Sequence, residues 1–148
     1  MIVELVSVGT ELLLGNIVNT NTQYLAEQCA LLGLSLYHQS VVGDNHDRLA
    51  EVVKTALGRS DVVILTGGLG PTEDDLTKEV CAEVMGYKLV EDPHTREHLE
   101  QFFKNNIYKE IPDNNWKQAM VPEGALVLDN HNGMAPGLIM EKDGKTAI

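Results

Sequence analysis

The sequence predicts an α/β fold in three layers, αβα, with helices packed on both faces of a mostly parallel β-sheet. Short apolar runs rich in β-branched residues, typical of strands buried on both faces, alternate along the chain with stretches whose apolar residues recur at helical spacing. Repeated strand and helix units of this kind favour right-handed crossovers between parallel strands. The length of 148 residues and the hydrophobic content of 43% suit one globular domain with its own core.

The individual strands and helices are predicted from periodicity and from the residues that begin and end them. Gly33 and Gly58 are expected to end two helices, and Asp92 is expected to cap a third. Asp143 and Gly144 predict a tight hairpin turn. The predicted strands are residues 2–8, 34–42, 62–65, 87–90 (at an edge of the sheet), 125–128 and 137–141. The predicted helices are residues 22–32, 44–57, 71–84, 93–104 and 116–120.

A glycine-rich segment, residues 67–70, follows the buried strand at residues 62–65. Its glycines let the backbone turn sharply and approach a ligand closely. Pro71 and Thr72 are then expected to begin a helix, with Thr72 three residues before Asp75 as in a capping box. A glycine turn that leads into a helix N-terminus directs free N–H groups at one point, which predicts a phosphate site. The segment lacks the lysine of a P-loop and the third glycine of a dinucleotide fingerprint.

Three acidic residues, Glu73, Asp74 and Asp75, stand in the predicted first turn of that helix. Acidic residues at this position can simply complement the helix dipole. Beside a bound phosphate, however, they would repel it unless a divalent cation such as Mg²⁺ bridged the carboxylate and phosphate oxygens. The sequence therefore predicts a divalent metal held by Asp75 and Asp74, with Asp75 as the first catalytic candidate.

The loop after the first strand supplies the second set of candidates. Ligands of open α/β sheets lie at the C-terminal ends of the strands. If the first strand neighbours the strand at residues 62–65, Glu11 and Asp75 face one crevice, and Glu11 becomes the second catalytic candidate. The alternative is that Glu11 is an ordinary acid at the start of a helix. Asn19 and Asn21 precede a predicted helix, where asparagines usually serve as caps.

Residues 130–137 form a polar, glycine-rich loop near the C-terminal end of the sequence. Gly133 and Gly137 permit close approach to a ligand, and the alternative is a plain turn. The chain then stops shortly after the predicted hairpin, inside a strand whose edge is expected to be unpaired. We therefore expect a domain that is truncated at its C-terminal end.

Composition excludes several classes of partner and location. A formal net charge of −11 argues against nucleic acid and against anionic membranes as general partners. The first residues lack the basic and long apolar regions of a signal peptide, and no apolar run approaches the ~18 residues of a membrane span. The sequence thus predicts a cytoplasmic protein.

Cysteine and histidine spacing gives no strong signal for a further metal site. Cys29 and Cys81 stand alone in helical patterns, which predicts buried thiols. A zinc peptidase motif, His-x-x-Glu-His, is matched by His94, Glu97 and His98. That short pattern has low specificity, and no third ligand stands nearby in the sequence. We therefore predict that these histidines are not zinc ligands.

Three ordered motifs carry a resemblance to a known family. They are Thr-Gly-Gly-Leu-Gly-Pro-Thr-Glu-Asp-Asp-Leu-Thr at residues 66–77, Gly-Thr-Glu-Leu-Leu-Leu-Gly at residues 9–15, and Asn-Gly-Met-Ala-Pro-Gly at residues 132–137. These motifs resemble those of the molybdenum-cofactor-biosynthesis domain family, and the region of Asn19 and Asn21 is similar to the N-terminal domain of the CinA group. The resemblance covers essentially the whole chain. It differs at Met134, where the family usually has threonine.

The resemblance implies a MogA-like, molybdopterin-binding fold that assembles as a dimer or trimer and binds a nucleotide or pterin. For the CinA group it implies metal-dependent hydrolysis of ADP-ribose; the alternatives are a binding module without turnover and adenylyl transfer to molybdopterin. It also implies that the C-terminal deamidase domain found in many CinA proteins is absent here. The ligand-binding candidates lie in or beside the three motifs and are Gly9, Thr10, Asn21, Thr66, Gly67, Gly68, Leu69, Gly70, Pro71, Thr77, Gly133, Ala135, Pro136 and Gly137.

Overall fold

The structure is a computed structural model that describes residues 1–105 and 111–148. Its strands are β1 (Ile2–Val8), β2 (Ser35–Val42), β3 (Val62–Thr66), β4 (Leu89–Glu91), β5 (Met120–Pro122), β6 (Leu126–Leu128), β7 (Gly137–Lys142) and β8 (Lys145–Ala147). Its helices are α1 (Thr10–Leu13), α2 (Thr20–Leu31), α3 (His46–Arg59), α4 (Thr77–Met85) and α5 (Pro93–Asn105), with a 3₁₀ helix at Asp113–Ala119.

Six strands form the main sheet in the order β2-β1-β3-β8-β7-β6. The pairs β1 with β2, β1 with β3 and β3 with β8 are parallel, whereas β7 is antiparallel to both of its neighbours. Strands β4 and β5 form a separate antiparallel pair. The predicted mostly parallel sheet is therefore confirmed.

Apolar side chains of β1 point alternately to the two faces of the sheet, where helices cover them. Val6 and Val8 belong to a core cluster formed with α3 and α4, and Val3 and Leu5 pack with Cys29 of α2. This alternation follows from the two-residue period of a strand. It places one layer of helices on each face, as the sequence predicts.

Both cysteines lie in these cores, as predicted. Cys29 is 3% exposed and Cys81 is 1% exposed. Burial raises the pKa of the Cys81 thiol to about 12, which keeps it protonated and unreactive at neutral pH.

The largest error in the predicted elements concerns the start of α4. This helix begins at Thr77, so the segment from Pro71 to Leu76 forms turns and the three acids lie outside the helix. The carboxylate of Asp75 accepts hydrogen bonds from the backbone N–H and the hydroxyl of Thr72. One half of the predicted capping box is thus formed, but it closes a turn that replaces the first turn of the helix.

Helix α3 is also shifted from its predicted bounds. It begins at His46, because the side chain of Asn45 rather than Asp44 caps it by accepting from the backbone N–H of Arg48. It continues through Gly58, which the sequence predicts as its end. The side chains of Arg59 and Ser60 both bind the buried carboxylate of Glu4, and these contacts hold the last turn in place.

The C-terminal strands differ from prediction in their pairing. The predicted edge strand at residues 87–90 is found as β4, which pairs with β5 and not with the main sheet. Strand β8 lies between β3 and β7 and is paired on both sides, so the expected unpaired edge is wrong. The predicted hairpin turn is confirmed, since Asp143 and Gly144 have φ of 52° and 74°.

Among the described residues, no helix is long and apolar enough to cross a membrane.

Candidate functional site

The site is built where the C-terminal ends of β1 and β3 lie side by side. The two strands pair along their length, from Val3 opposite Val62 to Ser7 opposite Thr66, so they are the neighbours that a shared crevice for Glu11 and Asp75 would require. Gly67, just after β3, has φ of 90°. A Cβ atom on it would lie 2.0 Å from the carbonyl oxygen of Val8. The glycine therefore brings the segment after β3 directly against the end of β1.

The segment of residues 67–76, here called the glycine loop, is tied to the first residue of α4. Thr77 donates its backbone N–H to the carbonyl of Gly68 at 3.1 Å and its hydroxyl to the carbonyl of Gly67 at 2.8 Å. Thr77 is 3% exposed. Its predicted ligand-binding side chain is thus used to close the loop.

Asp75 is turned into the glycine loop. Its Oδ2 accepts from the backbone N–H of Thr72 at 3.0 Å and from the Thr72 hydroxyl at 2.6 Å, and its carboxylate also accepts from the backbone of Gly70. Partial burial raises the pKa of this carboxyl, but these hydrogen bonds and the charge of Lys117 outweigh burial, so the pKa lies below its ordinary value. Asp75 is therefore a carboxylate at neutral pH, held against Gly70.

Two lysines outside the three sequence motifs support the glycine loop, Lys117 directly and Lys78 through the carbonyl of Lys117. Lys117, in the 3₁₀ helix, donates its ammonium group to the carbonyl of Thr72 at 2.8 Å and to the carbonyl of Asp75. Lys78 donates to the carbonyl of Lys117 at 2.5 Å, and both lysines lie within 4 Å of a carboxylate oxygen of Glu79. Burial lowers the pKa of Lys78. No local sequence pattern predicts these contacts, because they join segments about 40 residues apart in the chain.

A cleft, defined here as two adjoining cavities, separates the glycine loop from the start of β7. The larger cavity has a volume of about 130 Å³ and the narrower one about 10 Å³. Both are lined by Leu69, Lys78, Pro136 and Leu138. The narrower cavity is also bordered by Gly68, Gly70, Asp75, Glu79, Gln118 and Ala135, and the larger by Leu65, Thr77, Cys81, Gly137, Met140 and Ile148. The fold thus brings together the motifs at residues 66–77 and 132–137.

The motif after β1 has a different role in the structure. Thr10 donates both its backbone N–H and its hydroxyl to Asp44, at 2.9 and 2.8 Å, and so ties α1 to the loop after β2. The Glu11 carboxylate packs against Gly9, where a Cβ would lie 2.7 Å from its Oε1. None of the described residues that line the cleft belongs to this motif.

Asn19 and Asn21, which the sequence places before a helix, have different positions: Asn19 caps α2 and Asn21 lies within it. Asn19 accepts from the backbone N–H of Thr22 at 3.2 Å and donates to the Ser7 hydroxyl at 2.9 Å, so it is the predicted cap. Asn21 is exposed in the first turn of α2 and does not line the cleft. Its predicted ligand contact stays a prediction.

Residues 129–136, called the return loop, are shaped by their own hydrogen bonds. Asn130 donates its side-chain amide to the carbonyl of Ala135 at 2.9 Å, and its side-chain oxygen accepts from the backbone of Asn132. A Cβ on Gly133 would lie 3.0 Å from the Asn130 side chain. Gly133 therefore makes room for this asparagine, and Ala135, Pro136 and the following Gly137 are the predicted residues that reach the cleft.

The histidines of α5 contact the return loop individually. His94 Nε2 lies 2.7 Å from a carboxylate oxygen of Asp129, and His98 Nε2 lies 3.4 Å from the carbonyl oxygen of Gly133. The Asp129 carboxylate raises the pKa of His94. In residues 1–105 and 111–148, no group of three or more histidine, cysteine, aspartate or glutamate side chains is arranged to hold a metal ion. In the Asp75 carboxylate, which is predicted to bind a cation together with Asp74, Oδ2 already accepts two hydrogen bonds from Thr72.

Sequence comparison places this architecture among known proteins. Residues 4–148 match the family model described as "Probable molybdopterin binding domain". A relative from Caldicellulosiruptor bescii, provisionally named a competence-damage inducible protein, is 57% identical over 148 residues, which are 100% of this chain and 36% of the relative. A relative of the same name from Clostridioides difficile is 55% identical over 145 residues, which are 98% of this chain and 34% of the relative. The chain thus spans about a third of the length of these relatives.

Structural comparison gives the same grouping. The crystal structure of the protein CinA from Thermoplasma acidophilum, described as having unknown function, has a TM-score of 0.91 and 31% identity, and covers 99% of this chain and 85% of that chain. The molybdopterin biosynthesis enzyme MoaB from Thermus thermophilus has a TM-score of 0.62 and 16% identity, and covers 99% and 77%. The second likeness shows a shared fold alone. Together they confirm the predicted fold class.

Proposed function

Because the chain belongs to the probable molybdopterin-binding domain family, and within it to the CinA group, we propose that it binds a pterin or nucleotide in the cleft. The main support is that the fold joins two distant motifs across this cleft, with Leu69 and Gly70 on one wall and Ala135 and Pro136 on the other. A concave, mostly apolar site with a few polar groups is typical of small-molecule binding. The apolar side chains of Leu69, Pro136 and Leu138 suit a planar ring.

The location of the site is tested by placing a charge on its wall. Leu69 is 37% exposed and borders both cavities, so Leu69→Glu should fold normally. We expect this variant to lower the affinity for AMP and for pterin about 10-fold or more, because a carboxylate would have to be desolvated against the ligand ring. Leu126→Glu, at a 60% exposed position of β6, is the matched control and should bind as wild type does. Isothermal titration calorimetry measures both affinities. Wild-type affinity in Leu69→Glu would place the site elsewhere.

A second candidate function, metal-dependent hydrolysis of a nucleotide diphosphate such as ADP-ribose, is favoured by the acids of the glycine loop. Glu73 and Asp74 are exposed beside Asp75, whose lowered pKa keeps it ionised. Carboxylate oxygens are the ligands that Mg²⁺ prefers. Asp75 and Asp74 would hold the ion, with Glu11 of α1 as a further acid, and the ion would supply Lewis-acid activation and charge neutralisation. Adenylyl transfer to a pterin would draw on the same groups.

Asp75→Asn separates catalysis from binding. Asparagine keeps an oxygen that can accept from Thr72 but removes the charge that a cation requires, so Mg²⁺-dependent turnover of ADP-ribose should be lost while the affinity for AMP stays within a few-fold of wild type. Asp47→Asn, at a side chain that is 97% exposed, is the control. Turnover is followed by chromatography of AMP release, with and without Mg²⁺. Undiminished turnover in Asp75→Asn would rule out a catalytic role for Asp75. If the wild-type protein binds ADP-ribose but does not hydrolyse it, only the binding function remains.

A further inference from the structure

We propose that Gln118 is a specificity residue, whose side-chain oxygen accepts a hydrogen bond from an exocyclic amino group of a planar nitrogen heterocycle bound in the cleft. This inference rests on the proposed function, since it assigns one polar contact within the same site. Gln118 belongs to the 3₁₀ helix, outside the three sequence motifs, and it borders the narrower cavity together with Asp75 and Ala135.

The first observation is an unsatisfied polar atom. Gln118 is 4% exposed, and its Oε1 accepts no hydrogen bond from any residue that the structure describes. Buried polar atoms almost always have a partner, because an unpaired one loses its hydration without compensation. Gln118 Oε1 is the one such side-chain atom among the described residues. A ligand that donates a hydrogen bond at this point would remove the penalty.

The second observation is the size and surroundings of the narrower cavity, which Gln118 helps to line. The narrower cavity, of about 10 Å³, accommodates one group the size of a water molecule and adjoins the cavity of about 130 Å³. Leu69, Pro136 and Leu138 border both cavities. A ring lying between these apolar side chains can therefore extend one small substituent toward Gln118. An amino group has the required size and donates the required hydrogen bond.

Two ligand classes carry this chemistry. Adenine bears an exocyclic amino group at position 6 and pterin bears one at position 2. Each has an analogue that lacks it: purine riboside 5′-monophosphate for AMP, and lumazine, with an oxygen in place of the amino group, for pterin. Pairing each ligand with its analogue identifies both the contact and the class of heterocycle.

The test combines these probes with Gln118→Met, which keeps the length of the side chain but removes its hydrogen-bonding atoms. We expect the wild-type protein to bind AMP, or pterin, about 10-fold more tightly than the matching analogue, and Gln118→Met to bind ligand and analogue about equally. The melting temperature of ligand-free Gln118→Met should equal or exceed that of the wild type, because a buried unpaired oxygen is replaced by an apolar group. Gln101→Met, which removes an exposed glutamine of α5, is the control and should keep the wild-type preference.

The outcomes distinguish this inference from the function on which it rests. If the wild type binds none of the four probes, the proposed function fails and this inference fails with it. If the wild type binds each ligand as tightly as its analogue, binding in the cleft stands but the role of Gln118 is refuted. A lowered melting temperature in Gln118→Met with unchanged preference for the amino compound would likewise refute it, since the carboxamide would then be structural.

Discussion

At the scale of single residues, the glycines of the glycine loop serve distinct purposes. Gly67 combines a left-handed φ of 90° with contact against Val8, whereas Gly15 has a similar φ of 71° and no atom within 4 Å of the position of a Cβ. Comparing the two separates conformational strain from steric exclusion. Only the second effect concerns the joining of β1 and β3 at the site.

Gly67→Ala should lower the free energy of unfolding by about 3 kcal/mol or more, because the new methyl group adds a collision with the Val8 carbonyl to the strain of a left-handed backbone. Gly15→Ala should cost only about 1 kcal/mol, since strain alone acts there. Urea denaturation followed by circular dichroism measures both values. Equal losses in the two variants would mean that the loop moves away from β1 without difficulty.

Gly70 shows where prediction from sequence stops at this scale. The sequence predicts that Gly70 leaves room for a phosphate. In the structure, however, a Cβ on Gly70 would lie 2.5 Å from Oδ2 of Asp75. Glycine here makes room for Asp75, the first catalytic candidate. Both residues are selected from the sequence, but each for a separate role. Their contact could not be predicted, because it depends on the shape of a turn. The sequence pattern of this turn resembles the start of a helix, and it predicts a helix there.

At the scale of elements, burial patterns predict strands well and hydrogen-bonded turns poorly. The bounds of β1, residues 2–8, are found as predicted, because a run of apolar residues reports directly on a strand covered by two layers. The start of α4 is six residues later than predicted, because Thr72 and Asp75 satisfy each other before the helix begins. Propensity alone does not reveal which of two local hydrogen-bond patterns prevails.

The 3₁₀ helix illustrates a second limit at this scale. It supplies both Lys117, which holds the glycine loop, and Gln118, which borders the cleft. The sequence predicts a short helix at residues 116–120 but assigns it no role in the site, because only tertiary packing brings it against residues 72–79. The sequence predicts the cleft-lining candidates within residues 66–77 and 132–137, but not the cleft-lining residue that the separate 3₁₀ helix contributes.

At the scale of the whole molecule, the strongly acidic chain buries the carboxylate of Glu4 within its central sheet. Glu4, in β1, is 1% exposed and is bound by Arg59 at 2.7 and 2.9 Å and by Ser60 at 3.2 Å. The hydrogen bonds from Arg59, which outweigh burial, lower the pKa of Glu4 below its ordinary value of about 4.5. This contact joins the end of α3 to the centre of the sheet.

The stability of the molecule should therefore depend on Glu4 in acid. A carboxyl whose pKa is lowered by folding contributes stability above the unfolded value, and that contribution is lost as pH falls below about 4.5 and through the lower folded value. Glu4→Gln should be less stable than wild type at pH 7 and should lose less stability than wild type between pH 5 and pH 3. Thermal melts across this range compare the two proteins. Parallel profiles would show that Glu4 does not carry the acid sensitivity.

The position of β8 determines when the sheet and the cleft can be completed during synthesis. Residues 62 and 146 are paired neighbours in the sheet, and β8 is the strand that joins the β2-β1-β3 part to the β7-β6 part. As the chain leaves the ribosome, β1, β2 and β3 can associate early, but β7 gains its place beside them only when residues 145–147 have emerged. The second wall of the cleft, formed by Ala135 and Pro136, directly precedes β7 and depends on the placement of that strand. We therefore expect nascent chains that end before β8 to contain native secondary structure and yet to lack the cleft in which ligand binding is proposed.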